Sequence, residues 1–463
     1  MKTTIPGEIP GAAQQPPRAL RDPVVSALSG TTAATASALE RAILEGGRAR
    51  GRVIESMTTA EIIEILAAAA TAWTQLHYTP RTRLLPLLAR DLGLPRTMIE
   101  TGLDSIFGVV TEDALTRLVT DEVAIPEALE RGVDLGSGRR CRLLGPRVVF
   151  HSLAGNVPGQ SIPAIVSALL ARSVCVVRDS ERQPWLTAAF VATLSEFSRD
   201  LAAMVVPASW RAGDMGMEKL IFEVAHRVEL SGSDSTMRTI VSRHPRRPIV
   251  TRGTRISVGV IPRESDTDQW QEGFAADIIQ YEGLGCLTPH VIFVEGPSRR
   301  AERLARLLGI QLSRIEALHP RIPRDLGCES RRRAFIDACE MVSLREGGGH
   351  LLRGRSDGWI VHYRPMAPAA GGPGLRCVVV ASVADRAELT LRLRAASAPL
   401  AGVGLGLVRE HRAWEDLEST FSQLGATWIC EPGQMQKPPI GWAQDGQRRL
   451  ADLLEWRGVE DGA

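Results

Sequence analysis

Apolar and polar residues follow two different patterns along this chain. From about Thr58 to Leu118, segments such as TTAEIIEILAAAATAW repeat apolar residues at helical spacing, with Thr58 or Thr59 as the N-cap. Beyond Gly145, PRVVFHSLAG predicts a buried strand and a loop, SIPAIVSALLA a helix, and SVCVVRDS a second buried strand. The pattern therefore predicts a helical N-terminal region followed by a βαβ unit.

The alternation of strands and helices continues towards the C-terminus. VIFVEG at 291–296 predicts a strand that leads into the helical SRRAERLARLLG, and CVVVASV near Cys377 precedes another helical run. The glycine-rich stretches GGPGLR and PLAGVGLGLV are interpreted as loops or turns. Strands separated by helices favour an α/β architecture with parallel sheets.

Composition and charge narrow the class of protein. The chain has 44% hydrophobic and 23% charged residues and a formal net charge of +2, which is typical of a soluble globular protein and gives no signal for nucleic acid. Its 7 cysteines include no CxxC pair, which argues against a disulfide framework or a structural zinc site. Neither a signal peptide nor a transmembrane stretch is evident. We expect a cytoplasmic protein without a metal or a membrane span.

Cys286 is the candidate nucleophile. It lies in YEGLGCLTPHVIFVEG, where glycines open the backbone just before a strand and leave room for a carbonyl group to approach the sulfur. The alternative interpretation is an inert cysteine in a turn. His290, four residues later, could lower the thiol pKa, orient a leaving thiolate or only support the loop.

Two further segments carry candidate chemistry. Asn156, after the first strand, could donate a hydrogen bond to an oxyanion, which is worth roughly 3 kcal/mol of barrier, or it could be a turn asparagine beside Gly155. In VELSGSDSTMRTI a strand leads to Gly232 and Ser233 and then to a helix, an arrangement that presents backbone N–H groups to phosphate. No GxGxxG follows any predicted strand, so an ordinary Rossmann dehydrogenase is not supported.

Taken in order, these segments resemble the acyl-CoA reductases of the LuxC type, within the aldehyde dehydrogenase superfamily. The similar segments are AGNVPG with SIPA at 154–164, GSDST at 232–236, GCLTPHVIFVEG at 285–296 and GQMQKPPIGWAQDGQRRLADLLEW at 433–456. The resemblance implies an aldehyde dehydrogenase-like α/β fold with a Rossmann-type cofactor domain and an α/β catalytic domain.

The resemblance also divides the chain and assigns roles to its residues. We predict a mobile N-terminal tail at 1–45, a helical and nucleotide-binding domain at 46–255, a catalytic domain at 256–425 and a C-terminal segment at 426–463 that returns to the core. The implied oxyanion hole consists of Asn156 and the backbone N–H of Cys286. The residues implied near the cofactor are Gly232 and Ser233 at the pyrophosphate, and Arg178, Ser180 and Glu181 at the adenosine ribose.

The coenzyme implied by the resemblance is NADPH, with NADH as the alternative. Arg178 could fork onto a 2′-phosphate and favour NADPH, whereas Glu181 could accept a hydrogen bond from a 2′-hydroxyl and favour NADH. Aldehyde dehydrogenases usually have Lys-Pro-Ser-Glu where this chain has Arg-Asp-Ser-Glu at 178–181.

The predicted function is the NAD(P)H-dependent reduction of an acyl thioester to an aldehyde through an acyl group on Cys286. The chain has Thr-Arg-Gly-Thr at 251–254, where hydrolytic aldehyde dehydrogenases carry Glu-Leu-Gly-Gly, so the base that activates water is missing there. The alternatives are an aldehyde dehydrogenase working in the oxidative direction and a non-catalytic subunit that binds acyl groups or a partner.

The resemblance also implies the partners. The expected acyl donor is acyl-CoA or a carrier-bound acyl group, and an acyl-protein synthetase or an acyl carrier protein is the candidate partner protein. A homo-oligomer is expected.

Overall fold

The computed structural model describes residue 30 and residues 32–135, 140–181 and 183–459. The predicted tail lies outside the described residues up to residue 29, but helix α1 (Ala36–Ser56) begins within its range. The Thr35 side chain caps this helix by accepting a 3.3 Å hydrogen bond from the Ala38 amide. Leu39 and Val53 on α1 are fully buried. The range 1–45 therefore ends inside a packed helix.

The helical N-terminal region is present where the apolar spacing predicts it. Its helices are α2 (Thr59–Thr74), α3 (Thr79–Leu92), α4 (Arg96–Gly108) and α5 (Glu112–Glu122). Thr58 caps α2 in a capping box, in which its side chain accepts from the Glu61 amide at 3.2 Å and Glu61 accepts from the Thr58 amide at 2.7 Å. Ile62, Leu66 and Trp73 on α2 are fully buried. The N-cap prediction at Thr58 is confirmed.

A five-stranded parallel sheet forms the first α/β unit. Two strands of a different sheet precede it, β1 (Val133–Asp134) and β2 (Arg140–Leu144). Its own elements are, in chain order, β3 (Val148–Ser152), α6 (Ser161–Leu170), β4 (Val174–Arg178), α7 (Leu186–Phe197), α8 (Arg199–Ala203), β5 (Val205–Ala208), α9 (Met215–Val224), β6 (Arg227–Ser231), α10 (Asp234–Arg243) and β7 (Ile249–Arg252). The strand order β5-β4-β3-β6-β7 reverses between β3 and β6. In sheets of this kind, ligands bind outside the carboxyl ends of the strands at that reversal.

A seven-stranded sheet forms the second α/β unit. Its elements are β8 (Ile256–Ile261), α11 (Gln271–Ile279), β9 (Pro289–Glu295), α12 (Ser298–Leu318), α13 (Leu326–Glu346), β10 (His350–Arg353), β11 (Ile360–Tyr363), β12 (Cys377–Val383), α14 (Arg386–Arg394), β13 (Leu400–Leu405), α15 (Trp414–Gln423) and β14 (Trp428–Cys430). The strand order is β10-β11-β12-β9-β8-β13-β14, and the β10–β11 pair is antiparallel. The predicted boundary at 425 leaves β14 outside the domain whose sheet it completes.

The interpretation of PLAGVGLGLV as a loop is wrong, because most of it forms the buried strand β13. A Cβ atom at Gly402 would lie 2.8 Å from Leu287 Cδ2, and one at Gly404 would lie 2.6 Å from Met435 Sδ. These glycines let neighbouring side chains approach the strand closely rather than breaking it.

The C-terminal segment crosses from the second sheet to the first unit. The carboxylate of Glu122 on α5 accepts hydrogen bonds from the amides of Leu450 and Ala451 at 2.6 and 2.9 Å. The final strand, β15 (Glu455–Val459), pairs antiparallel with β2 in the sheet β1-β2-β15. Among the described residues, no helix combines the length and the apolar character needed to span a bilayer.

Candidate active site

Cys286 lies on the loop that joins α11 to β9, which we call the nucleophile loop (280–288). Its turn contains three consecutive residues with left-handed backbone: Tyr281, Glu282 and Gly283, with φ values of 55°, 58° and 67°. The Ser257 hydroxyl on β8 donates a 2.8 Å hydrogen bond to the carbonyl of Cys286. The turn and this bond together fix the backbone around the sulfur.

Cys286 is the exposed cysteine among the seven, all of which lie in the described residues. A Cβ atom on the preceding Gly285 would lie 2.4 Å from Gln436 Oε1, so the side chain of Gln436 in the C-terminal segment packs directly against this glycine. The open backbone predicted before β9 is therefore present, and a second segment of the chain uses it for close approach.

Two cavities meet at Cys286. One, of about 150 Å³, is lined mainly by apolar side chains from α4, α6, the nucleophile loop and the C-terminal segment, and we call it the apolar cavity. The other, of about 400 Å³, lies at the carboxyl ends of β3, β6 and β7, and we call it the polar cleft. Both are lined by Gln160, Ser231, Arg252, Cys286, Trp442 and Gln444. The thiol thus lies where an apolar group and a polar group can meet.

Asn156 lines the polar cleft together with Cys286. Its Nδ2 donates a 2.5 Å hydrogen bond to the carbonyl of Leu284, and its Oδ1 accepts from Gln160 Nε2 at 3.3 Å. A carboxamide nitrogen carries two hydrogens, and the bond to Leu284 uses one of them. The structure therefore brings Asn156 to the nucleophile loop and fixes its orientation there.

The surroundings of the Cys286 thiol disfavour its thiolate form. Burial by the walls of the two cavities and the nearby carboxylate of Asp445 raise the pKa of the thiol to about 11, while Arg449 acts in the opposite direction. Cys286 is exposed to solvent, but only through the two concave cavities. Protein atoms surround it on its other sides, and this explains why burial still raises the pKa of its thiol.

Asp445 is the only carboxylate among the described residues that line the polar cleft. It forms an ion pair with Arg255 and has a left-handed backbone with φ of 61°. Burial raises the pKa of Asp445, against the opposite effect of Arg255. The site thus obtains a carboxylate from the C-terminal segment, although none stands at 251–254.

Charged groups form the wall of the apolar cavity next to the first sheet. Glu229 on β6 forms ion pairs with Arg252 at 3.0 Å and with Arg227 at 3.2 Å, and it lies 3.7 Å from His151. Burial alone would raise the pKa of Glu229, but His151, Arg252 and Arg227 lower it to about 2. Because burial lowers the pKa of His151 to about 4, this imidazole is neutral at pH 7 and the arginines stabilise the carboxylate there.

Three of the residues predicted near the cofactor line the polar cleft: Ser180, Gly232 and Ser233. Ser233 is the N-cap of α10, and its hydroxyl accepts from the Thr236 amide at 3.3 Å. The space where a Cβ atom of Gly232 would lie has no heavy atom within 4 Å. The first N–H groups of a helix have no partner within the helix, so this end of the cleft suits a phosphate group.

Arg178 and Glu181 do not line the polar cleft. The guanidinium of Arg178 donates to the carbonyl of Trp210 at 2.9 Å and lies 5.2 Å above the ring of that residue. Glu181 accepts from the Ala212 amide at 3.2 Å. Both side chains therefore contact the segment after β5, beside Ser180.

The structure does not bring His290 together with Cys286. His290 is near the start of β9 and lines neither cavity. Burial lowers the pKa of its imidazole to about 4. Its ring lies against the loop at Gly372, where an added Cβ atom would be 3.3 Å from His290 Nδ1. This contact is with the segment at Gly372 and not with the nucleophile loop, so a role of His290 in supporting the nucleophile loop stays a prediction.

Sequence reasoning missed Gln160, Arg252 and Arg449 as members of the site. Gln160 follows Asn156 by four residues, and Arg252 occupies the segment where a carboxylate was expected and not found. The sequence therefore contained a signal for both residues. Arg449 lines the apolar cavity only because the C-terminal segment folds back, which no local pattern indicates.

The two α/β units, the reversal of strand order in the first sheet and the cysteine on a loop of the second unit define an aldehyde dehydrogenase-like fold. Solved structures with this fold include a putative aldehyde dehydrogenase from Burkholderia cenocepacia (TM-score 0.71, 17% identity, 92% of this chain and 90% of that one). An aldehyde dehydrogenase C from Pseudomonas syringae, solved with NAD+ and octanal, is also similar (TM-score 0.68, 12% identity, 92% of this chain and 89% of that one).

The chain belongs to the acyl-CoA reductase (LuxC) family, whose sequence profile matches residues 54–456. Long-chain acyl-protein thioester reductase 2 of Photobacterium leiognathi is 20% identical over 410 residues, which are 86% of this chain and 82% of that protein. The long-chain acyl-protein thioester reductase of Aliivibrio fischeri is 23% identical over 339 residues, 71% of this chain and 68% of that protein.

Proposed function

We propose that this protein reduces an acyl thioester to an aldehyde, with Cys286 holding the acyl group between two half-reactions and NADPH as the reductant. The observation that carries the proposal is the position of Cys286 at the junction of the apolar cavity and the polar cleft. An acyl chain in the first and a dinucleotide in the second would both reach the sulfur.

In the first half-reaction the sulfur of Cys286 attacks the thioester carbonyl. A bond forms between this sulfur and the carbonyl carbon, the bond from that carbon to the donor sulfur breaks, and the thiol proton of Cys286 passes overall to the departing thiol. Asn156 Nδ2 and the backbone N–H of Cys286 are the donors that we assign to the oxyanion. Each such donor in a water-poor site is worth roughly 3 kcal/mol of barrier.

The described residues of the polar cleft fit a dinucleotide. The N-terminus of α10 and the open space beside Gly232 suit the pyrophosphate, and we assign Ser180, two residues after β4, to the adenosine ribose. When bound, the nicotinamide supplies a hydride to the acyl carbon. Cys286 then releases the aldehyde as its carbon–sulfur bond breaks, and the thiol is regenerated by a proton from water.

We assign NADPH rather than NADH on the charge at the end of β4. Arg178 lies at that end with its side chain 18% exposed, and Glu181 forms a 3.8 Å ion pair with it. Turning away from Trp210 would let Arg178 fork onto a 2′-phosphate. The ratio of kcat/KM for NADPH to that for NADH tests this assignment, and the variant Arg178→Ala should lower the ratio.

The reductive direction is supported by Arg252, which occupies the segment where hydrolytic relatives carry a base and points its guanidinium at Glu229. A cation cannot take a proton from water, so hydrolysis of the acyl group is disfavoured. Asp445 in the polar cleft favours the second candidate, an aldehyde dehydrogenase in the oxidative direction. Consumption of aldehyde and NADP+ without any added thiol would identify that activity.

The acyl donor that we propose is acyl-CoA or an acylated protein. The names of the relatives support an acylated protein, so an acyl-protein synthetase or an acyl carrier protein is the partner to test. A homo-oligomer and a cytoplasmic location remain predictions.

The experiment is a single-turnover reaction of the protein with acyl-CoAs or acyl carrier protein and NADPH. Intact mass and nucleotide absorbance are followed together. We expect an acyl adduct that disappears as NADPH is oxidised and aldehyde forms, and no adduct in the variant Cys286→Ala. An adduct that stays in the presence of NADPH, or none with any donor, would favour a non-catalytic acyl- or partner-binding protein.

A further inference from the structure

The apolar cavity is short, and its far end is charged. From this geometry we propose that the protein selects acyl groups of about six carbons, and not the long chains for which its relatives are named. The inference rests on the proposed thioester reduction and adds a substrate class to it.

Helix α6 sets the depth of the cavity. Gln160, Pro163, Ala164 and Ser167 line the cavity and recur at the spacing of one helix face. Gln160 also lines the polar cleft next to Cys286, whereas Ser167 lines the apolar cavity alone. At 1.5 Å per residue, the distance along the helix from Gln160 to Ser167 is about 10 Å. The cavity is therefore about two helical turns deep from the sulfur.

The paired charges on the first sheet close the far end. His151 on β3 is directly paired with Glu229 on β6, so their side chains share a face of the sheet. Ser231, two residues further along β6, is on the same face and lines both cavities. Two strand residues span about 7 Å, so Glu229 and His151 lie deeper than the level of Ser231.

A hydrocarbon tail gains nothing by passing this wall. Glu229 is ion-paired with Arg252 and Arg227, and separating them to admit methylene groups would leave buried charges without partners. Such a loss costs several kcal/mol, whereas each buried methylene contributes only about 0.8 kcal/mol. An acyl chain should therefore end before it reaches Glu229.

The volume leads to the same limit. The cavity holds about 150 Å³, and an apolar protein cavity of about that volume accommodates a benzene molecule. The side wall is built by Ile106 and Val109 near the end of α4, and Ile106 is closely packed, because a Cβ atom on Gly159 would lie 2.9 Å from its Cγ2. Glu229 and His151 limit the depth of the cavity, whereas Ile106 limits its width. Truncating Ile106 should therefore add volume in which a longer chain can bend without reaching the charged wall.

The test measures acylation of Cys286 by intact mass with acetyl-, butyryl-, hexanoyl-, octanoyl-, decanoyl- and myristoyl-CoA, together with kcat/KM for NADPH oxidation. We expect the maximum at hexanoyl- or octanoyl-CoA, with myristoyl-CoA slower by a factor on the order of ten or more. The variant Ile106→Ala should move the maximum to longer chains, and Ile106→Phe to shorter ones. The matched control is Ile315→Ala, which truncates another partly buried isoleucine that lines neither cavity and should leave the maximum in place.

The outcomes separate this inference from the proposed function. Acylation and NADPH oxidation that are fastest with myristoyl-CoA, or a maximum that none of the Ile106 variants moves, would overturn the length limit while leaving thioester reduction intact. The absence of acylation with every CoA ester and with acyl carrier protein would overturn both.

Discussion

Arg376 Nη2 donates a 2.6 Å hydrogen bond to Glu282 Oε1, and both side chains are fully buried. Glu282 is in the left-handed turn of the nucleophile loop, and Arg376 has a left-handed φ of 59° in the segment before β12. Arg376 Nη1 also donates to the carbonyl of His319 at 2.8 Å. The pair therefore ties the loop that carries Cys286 to the end of α12.

Breaking this pair should destabilise the protein strongly. The variant Arg376→Met leaves the carboxylate of Glu282 buried without its partner, and we expect a loss of about 3–5 kcal/mol in the free energy of unfolding. Urea-induced unfolding measures the loss. The matched control is Arg117→Met, which breaks an exposed pair with Asp113 whose side chains are 70% and 74% exposed and should cost less than about 1 kcal/mol.

A double variant shows how much of this loss comes from the unpaired charge. Glu282→Gln combined with Arg376→Met should cost less than the sum of the two single variants, because no buried charge then remains. Additive losses, or a loss at Arg376 no larger than at Arg117, would contradict the assigned role of the pair.

Asn156 is expected to act on the oxyanion through the second hydrogen of its amide nitrogen. The variant Asn156→Ala should lower kcat by about 10²–10³, the usual effect of removing one oxyanion donor. Stopped-flow measurement of acylation and of NADPH oxidation should show both steps slowed, since each passes through a tetrahedral oxyanion.

Gln160→Ala provides the matched control for Asn156. It removes the 3.3 Å bond that Asn156 Oδ1 accepts and a side chain that lines both cavities, but the amide donor of Asn156 keeps its contact with Leu284. We expect a loss of less than about tenfold. An equal loss in the two variants would mean that Asn156 acts by holding the nucleophile loop, and not as a donor to the substrate.

Much of the fold and part of the site could be predicted from local patterns. The spacing of apolar residues predicted a strand, a helix and a strand within 146–155, 161–171 and 173–180, and the structure has β3, α6 and β4 there. The glycine-rich strand β13 was missed because the need for Gly402 and Gly404 comes from Leu287 and Met435, which are distant in sequence. Local propensity gives no information about such contacts.

The charged groups that act on Cys286 could not be predicted from the sequence either. Asp445 and Arg449 act on Cys286 from more than a hundred residues away along the chain, and only the path of the C-terminal segment brings them close. The resemblance identified that segment, but no chemistry could be assigned to its residues. The spacing of residues along the sequence does not give the distance between two charges in the folded protein.

Asp445 should hold the thiol of Cys286 in its protonated form. A nearby negative charge destabilises a thiolate, so Asp445→Asn should lower the pKa of Cys286, whereas replacing Arg449 by methionine should raise it. The rate of alkylation by iodoacetamide, measured against pH, gives the pKa because the thiolate is the reactive form. Cys286→Ala is the control for labelling elsewhere. An unchanged profile in Asp445→Asn would show that the carboxylate does not act on the thiol.

His290 is expected to affect stability in acid and not catalysis. Burial lowers the pKa of its imidazole from 6.5 to about 4, so the unfolded chain binds more protons than the folded protein between these values. Stability should therefore fall as the pH decreases from 6.5 to 4, by about 3 kcal/mol from this residue.

The variant His290→Leu separates the two roles that the sequence left open. It should remove that part of the pH dependence in urea unfolding between pH 7 and pH 4, while kcat/KM at pH 7 changes by less than about tenfold. The matched control, His77→Leu, replaces an exposed histidine and measures what the loss of a surface imidazole alone does. Loss of a general acid or base lowers the rate by about 10²–10⁴. A fall in kcat/KM of that size would instead show that His290 takes part in catalysis, although it lines neither cavity.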